Sequence, residues 1–192
     1  MRSPIIEDPS PLAAGTITES LAEGQLNSVL LEGADLGKAR AEPLELVDAR
    51  LRDVELSNAH LRRILARRVE FADCRGIGLR LDAERATDVH ALRCRFDYAH
   101  IHIERAKGPI VFEGCSLRES VLSGDLSTAV FTDCELAGAE FNARDATGCD
   151  LRGSRITDIR GLLTLRGAIV DTGQVIAAAT RIATAAGFDV RE

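Results

Sequence analysis

The amino-acid sequence predicts an all-β solenoid, a chain that returns to the same place about every twenty residues. Cys74, Cys94, Cys115 and Cys134 follow one another at intervals of 20, 21 and 19 residues. Within each interval, a large apolar residue tends to stand at every fifth position. A fixed period of this length is typical of stacked coils, because each coil buries its apolar side only against its neighbours.

The spacing of five predicts four short sides in each coil. Leu46, Leu51 and Leu56 show it, and 28 such central positions lie between Leu21 and Ile156. A second apolar residue, usually small, stands two places before most of them. This pattern fits neither a helix of 3.6 residues per turn nor a long alternating strand. It fits a short extended segment that turns a corner and repeats, with both apolar residues pointing inward, and it predicts seven coils.

Two changes of phase keep the cysteines in one column. One extra residue near Lys107–Pro109 shifts the pattern of five, and one missing residue around Ser123–Asp125 restores it. Because the second change cancels the first, the coils are expected to stay aligned along the whole solenoid.

Several segments resemble the repeat motif A(D/N)LXX of the pentapeptide-repeat family. They include ADLGK at residues 34–38, CELAG at residues 134–138 and AEFNA at residues 139–143. The resemblance covers residues 19–158. It implies a right-handed quadrilateral parallel β-helix of about seven coils.

The two ends of the chain lack the repeat. Residues 1–18 contain three prolines and are expected to form an extended arm, in which Leu12 and Ile17 cover the first coil. Residues 159–192 are expected to form a cap with a short α-helix that starts at Asp171 or Thr172 and stops at Gly187. With no apolar leader segment and no apolar run long enough to span a bilayer, a cytoplasmic location is expected, without membrane contact.

The C-terminal helix has two interpretations. In the first, its apolar face seals the last coil. In the second, part of that face also joins two molecules, since the tail resembles the C-terminal end of Qnr-type and MfpA-type members of the family, where this region forms a two-fold dimer. The resemblance implies a homodimer through five apolar residues: Val175, Ile176, Ala179, Ile182 and Phe188.

The second side of each coil, side two, is irregular. Its central residues, coil by coil, are Leu26, Leu46, Ala66, Ala86, Ala106, Leu126 and Ala146. Charged residues occupy three of its inward positions, and an unpaired buried charge is costly. Either the backbone bulges and turns the charges outward, or Glu and Arg pair along the stack. A third interpretation makes the side a notch that receives a partner through Glu84, Arg85, Glu104, Arg105 and Arg144.

No set of residues predicts catalysis, a metal site or a cofactor. All five cysteines occupy inward positions, and the favoured interpretation is a column of free thiols that act as small apolar residues; disulfides between successive coils are the alternative. His100 and His102 are expected to face outward, with Asp82 one coil away. These three residues could hold a metal ion, but two solvated surface histidines are the favoured interpretation. A filled prism offers no cleft for a nucleophile and its base, so we expect no enzyme activity.

Charge is unevenly distributed along the solenoid. The chain carries a net charge of −6, but residues 61–110 contain 11 basic and 7 acidic residues. The sequence thus predicts an acidic rod with a basic belt. The best-known family members bind DNA gyrase and related type II topoisomerases by imitating duplex DNA, which requires carboxylates spaced like phosphates. The residues that could supply this surface are Asp35, Asp48, Asp53, Glu55, Glu113, Asp133, Glu135, Glu140 and Asp150.

Two functions therefore stand side by side. The first is a non-catalytic protein that modulates DNA gyrase or another type II topoisomerase through DNA mimicry. The second is a protein-interaction scaffold that binds another partner through side two. Direct nucleic-acid binding is not expected in either case.

Overall fold

The computed structural model describes residues 10–11 and 24–191. They form a parallel β-solenoid of about six turns, followed by one α-helix. Residues 19–23, where the first predicted coil begins, lie outside the described residues, as do Leu12 and Ile17. The strands are β1 Ser10–Pro11, β2 Gln25–Asn27, β3 Val29–Glu32, β4 Arg40–Ala41, β5 Leu44–Arg52, β6 His60–Ala72, β7 Arg80–Leu92, β8 His100–Ile103, β9 Ile110–Glu113, β10 Val121–Asp125, β11 Ala129–Thr132 and β12 Glu140–Asp145.

Residues twenty apart in sequence lie side by side on neighbouring coils. One outward column runs through bridged pairs from Asp35 to Glu55 and then to Arg75. The two changes of phase are confirmed, because Val89 pairs with Ile110 and Ile110 with Ala129, intervals of 21 and 19 residues. Since parallel strands stack about 4.8 Å apart, position in the sequence becomes height along the axis.

The corners explain the period of five. In most sides, the residue two places after the central one has a left-handed backbone, as in Asp53, Asn58, Arg63 and Arg68, with φ of 52°, 56°, 53° and 52°. A single left-handed residue turns the strand and lets the next pair of apolar residues point inward. Glycine, Asp and Asn reach this conformation at low cost, which accounts for the polar corners.

We call the remaining sides one, three and four. Side one is centred on Leu61, Leu81 and Ile101, side three on Phe71, Ala91 and Phe112, and side four on Gly76, Phe96 and Leu117.

Apolar side chains from all four sides fill the solenoid. The rings of Phe112 and Phe131 stack with their centroids 4.9 Å apart, and Phe141 meets Phe131 edge to face at 6.2 Å. Gly76 replaces the large residue usual on side four, since a Cβ there would lie 2.8 Å from the ring of Phe96. The core is thus continuous from coil to coil.

Side two is irregular where it meets side one, because corners are missing at Ala83, Ile103 and Ala143. These residues lack the left-handed conformation that Arg63 and Gly124 adopt at the same corner of other coils. β7 therefore passes through Ala83 without a left-handed turn at that position. Ala83 and Ile103 then take the inward places. A small apolar cavity of about 50 Å³ lies behind this stretch.

The predicted inward charges are consequently outside. Glu84 is half-buried, and Glu104 and Arg144 are exposed. Each stands one residue after a missing corner, where strand alternation directs its side chain to solvent. The bulge that the sequence analysis left open is the arrangement found.

The α-helix, α1, spans Thr172–Ala185 and begins as predicted. Asp171 accepts a hydrogen bond from the Gln174 backbone at 2.9 Å, and the Gln174 side chain accepts one from the Asp171 backbone at 2.9 Å. A short 3-10 helix, Leu162–Thr164, precedes it, and Gly187 follows with φ of 91°. No helix within residues 24–191 combines the length and the apolar character that crossing a membrane requires.

Candidate interaction surface

Ion pairs on the surface follow the stacking direction. Arg75 lies 3.5 Å from Glu55, and Arg93 lies 2.7 Å from Asp73, in each case one coil away. The same relation joins Arg68 to Asp48. Residues twenty apart in the sequence are neighbours on successive strands. An Arg on one coil can therefore contact a carboxylate directly above or below it on the next coil.

This pairing neutralises most of the predicted acidic surface. Five of its nine carboxylates pair with arginine: Asp48 with Arg68, Glu55 with Arg75, Glu135 with Arg118 and Arg155, Glu140 with Arg160, and Asp150 with Arg152. A sixth, Glu113, contacts the His90 imidazole at 3.1 Å. The other three, Asp35, Asp53 and Asp133, are exposed and make no ion pair within the part of the chain described. The structure does not bring the nine together as one negative strip.

The guanidinium partners also change the acidity of these groups. The hydrogen bond from Arg68 holds the pKa of Asp48 below its usual range, and Arg152 does the same to the pKa of Asp150. In both cases partial burial acts in the opposite direction and is outweighed. These carboxylates therefore stay ionised but are already paired.

Sequence reasoning missed Asp97, a buried carboxylate on side four. Burial would raise its pKa, but hydrogen bonds from the Ser116 hydroxyl, the Arg95 guanidinium and the Arg118 backbone together lower it. Arg95 Nε lies 2.7 Å from the carboxylate. No signal in the motif distinguished Asp97, because its position is an outward one in the repeat and the aspartate is buried by its own partners.

Most of the unpaired cations lie on sides one and two. Eight cations make no ion pair with any described residue, and six of them lie on these two sides: Arg40, Arg67, Arg80, Arg85, Arg105 and Lys107. The other two are Lys38 and Arg166. We call Arg67, Arg85, Arg105 and Lys107, which all project from side two, the basic face. They come from three successive coils of the predicted basic belt, and all four are exposed.

The predicted Glu–Arg site is only partly assembled. Glu84 pairs with Arg63 at 3.1 Å, and Glu104 lies 3.7 Å from Arg144, which reaches across two coils and also donates to the Glu104 backbone carbonyl. The glutamates therefore engage other arginines and leave Arg85 and Arg105 unpaired. The segment Glu-Arg-Ala occurs at the same place in two successive coils, but neither Glu pairs with the Arg of the other coil. The bulge displaces each Glu from its neighbouring Arg.

The cysteines form an inward column in the core of the solenoid. All five are buried free thiols. Cys74 and Cys115 point their sulfurs at the carbonyls of Leu51 and Ala91, at 3.4 and 3.3 Å. Burial raises the pKa of Cys149 to about 12, which keeps it protonated and unreactive. Within the described residues, no three His, Cys, Asp or Glu side chains are grouped to hold a metal ion.

The predicted dimer residues are exposed on the C-terminal helix and on the segment that follows it. On the helix, Ile176 is 71% exposed, and Val175, Ala179 and Ile182 are exposed as well; Phe188, beyond the end of the helix, is 70% exposed. Two residues of the apolar stripe, Val175 and Ile182, also line a cavity of about 170 Å³ against the last coil. Gln174 and Ala178 are the buried residues of the helix, and the Gln174 amide donates to the carbonyls of Leu151 and Ser154 at 2.6 and 2.8 Å.

Comparison with known proteins adds little to this. No family model matches the chain, and no curated protein matches it. Among solved structures, QnrB1, a plasmid-mediated fluoroquinolone resistance protein, is 16% identical, covers 88% of this chain and 92% of its own, and has a TM-score of 0.34. HetL, a pentapeptide repeat protein involved in heterocyst differentiation regulation in the cyanobacterium Nostoc, is 15% identical over 82% of this chain and 94% of its own, with a TM-score of 0.21.

A third solved structure is Rfr23, a pentapeptide repeat protein of the cyanobacterium Cyanothece. It is 14% identical, covers 83% of this chain and 97% of its own, and has a TM-score of 0.19. Scores this low assign no function. The solenoid and its period of five rest on the strand register of this chain itself.

Proposed function

We propose that this protein is a non-catalytic scaffold that binds an acidic protein segment through the basic face. The single observation that carries the proposal is the absence of ion pairs at Arg67, Arg85, Arg105 and Lys107 within the described residues, on a surface where most arginines are neutralised by a neighbouring coil. Arginines that have no intramolecular partner keep their charge available for a partner molecule.

The shape of side two suits a protein partner. Sides one and two of the central coils form an extended strand surface, since β7 crosses the position where a corner would turn it. Leu65, which is 40% exposed, pairs in register with Arg85 and places an apolar side chain beside the cations. Arginine is enriched at protein interfaces relative to the rest of the surface.

The test is a charge reversal with a matched control. Arg85→Glu with Arg105→Glu is expected to weaken binding of a fluorescein-labelled poly-glutamate peptide by about tenfold or more, because two attractions become repulsions. The control, Lys38→Glu with Arg166→Glu, changes the net charge equally at exposed unpaired cations away from the basic face. Fluorescence anisotropy measures both. Equal losses in the two variants would show that net charge alone is responsible, and preferential binding of a DNA duplex would contradict a protein partner.

A second candidate function is the modulation of DNA gyrase or another type II topoisomerase. The observation that favours it is the free charge of Asp35, Asp53 and Asp133. Asp53 and Asp133 occupy the same corner of the solenoid, four coils or roughly 19 Å apart by strand spacing. Mimicry of DNA would then depend on these few groups and not on the paired carboxylates.

A supercoiling assay with purified gyrase, with and without a quinolone, separates these groups. If the protein inhibits gyrase or protects it from the drug, Asp53→Arg with Asp133→Arg is expected to remove most of the effect. Glu135→Arg with Glu140→Arg should remove less, because those carboxylates are already paired with Arg155 and Arg160. No response to the unmodified protein at micromolar concentration would remove the topoisomerase hypothesis.

The exposed apolar face of α1 supports the proposal of a homodimer. Ile176→Glu with Phe188→Glu is expected to convert a dimer to a monomer, since it places charges on two residues that are each about 70% exposed and so cost little in the isolated chain. Light scattering after size exclusion measures the mass. Thr184→Glu, at an exposed polar position of the same helix, is the control. A dimer that survives the double substitution would place the interface elsewhere.

A further inference from the structure

A groove of about 390 Å³ crosses side one of three successive coils, next to the basic face. Its walls are two ladders of outward residues. His60, Arg80 and His100 are paired in register along one wall. The other wall carries Arg62, Asp82 and His102, and Leu81 forms the floor between them.

The first wall departs from the pattern of charge pairing. The column from Arg40 through His60 and Arg80 to His100 contains no carboxylate. On side three, by contrast, Arg50 meets Glu70 one coil away at 3.1 Å. Arg80 is exposed and makes no ion pair among the residues described. Its guanidinium is therefore free to bind an anion between two imidazoles.

The second wall adds cationic and polar groups. Arg62 lies 3.3 Å from Glu42, which belongs to the preceding coil, on the side of Arg62 opposite to Arg80. His102 contacts the Ser123 hydroxyl at 2.9 Å. Glu104 lies 3.8 Å from the far nitrogen of His102. Asp82 is the carboxylate that lines the groove, and it makes no ion pair with a described residue. It can accept a hydrogen bond from a hydroxyl but would repel an anion placed against it.

We propose that this groove binds a small phosphorylated ligand that also carries a hydroxyl group. The planar fork of Arg80 matches phosphate oxygens, and imidazole N–H groups of His60 and His100 supply further donors on the adjacent strands. The ligand's hydroxyl group donates to Asp82 on the opposite wall. The volume falls in the range of small-molecule sites, and a phosphate alone would not fill it.

The four histidines provide an internal control for the test. Three of them line the groove, whereas His90 is buried on side three and contacts Glu113 at 3.1 Å. In a nuclear magnetic resonance titration of the full chain with ribose 5-phosphate, the imidazole signals of His60, His100 and His102 are expected to shift and saturate. The His90 signal is expected to stay in place. Signals are assigned with single His→Gln variants.

Two substitutions separate the phosphate contact from the hydroxyl contact. Arg80→Gln is expected to weaken ribose 5-phosphate and inorganic phosphate by about tenfold, the effect of one charged hydrogen-bond partner. Asp82→Asn is expected to weaken ribose 5-phosphate but not inorganic phosphate. Arg105→Gln, on the basic face, should change neither, so loss of this site and loss of the proposed protein contact are distinguishable.

Several results would overturn the proposal. One is the same set of shifts with sodium chloride at matched ionic strength, which would indicate screening only. Others are unchanged affinity in Arg80→Gln, or titrations of both phosphates that never saturate. Circular dichroism confirms that each variant is folded, and the unmodified position of the His90 signal provides a second check.

Discussion

Replacing Gly124 with alanine is expected to destabilise the solenoid by about 3 kcal/mol, one of the largest single-residue effects in this chain. Gly124 has φ of 90°, and a Cβ there would lie 2.1 Å from the Ile103 carbonyl oxygen and 2.9 Å from its carbon. Both atoms belong to the backbone of the neighbouring coil, so neither can move without disturbing the ladder. Urea unfolding followed by circular dichroism measures the change.

Gly114→Ala is the matched control. Gly114 also has a positive φ, of 61°, but the nearest atom to its Cβ would be Arg93 Cγ at 3.7 Å, an ordinary contact. The equivalent corners of the coils on either side hold Arg93 and Asp133 with φ of 50° and 52°. We expect a cost of only about 1 kcal/mol there, from the left-handed backbone alone. If the two glycines cost the same, the close approach of coils at Gly124 is not what fixes this residue.

Replacing Phe131 with alanine is expected to cost about 3–5 kcal/mol, the usual range for a buried phenylalanine. Its side chain is 1% exposed, and its ring contacts Phe112 face to face and Phe141 edge to face. Removing the ring leaves a cavity between two coils, because each neighbouring strand is held in place by its own ladder and cannot collapse into the space.

Val130→Ala provides the comparison for that substitution. Val130 is the preceding residue of β11 and points to the partly exposed face. Its loss is expected to cost less than about 1 kcal/mol, measured by the same urea titration. Similar losses at Val130 and Phe131 would mean that the aromatic stack contributes little, and that the coils are held mainly by their backbone ladders.

The repeat and the start of the C-terminal helix could be predicted from the sequence, because both depend on residues that are close together in the chain. The outward column of Asp35, Glu55 and Arg75 follows directly from counting in fives, and its residues are bridged as expected. The change of phase at Lys107–Pro109 is visible as a shift of the apolar positions. Asp171 is recognisable as a helix cap because capping uses residues three apart.

The missing corners could not be predicted in the same way. At Ala83, Ile103 and Ala143 the sequence has no glycine or aspartate, but Arg63 makes a regular corner on the same side. Whether a strand turns there depends on the register it adopts against the coil below, where Ile64 faces Ala83 after a shift. The sequence therefore marked the irregular side but could not choose between a bulge and buried charge pairs.

The sequence by itself determined the coil length, the inward column of thiols, the continuous core and the presence of a basic belt. The tertiary structure alone decided which charges remain available. The sequence does not indicate whether a carboxylate such as Glu135 pairs with Arg118 or with Arg155, and in the structure it lies within 4 Å of both. Which partner a long side chain reaches depends on the spacing of stacked strands and on the bulge on side two. Both are features of how the coils are arranged in space. That is why Arg80, Arg85 and Arg105 emerge as the unpaired groups only in three dimensions.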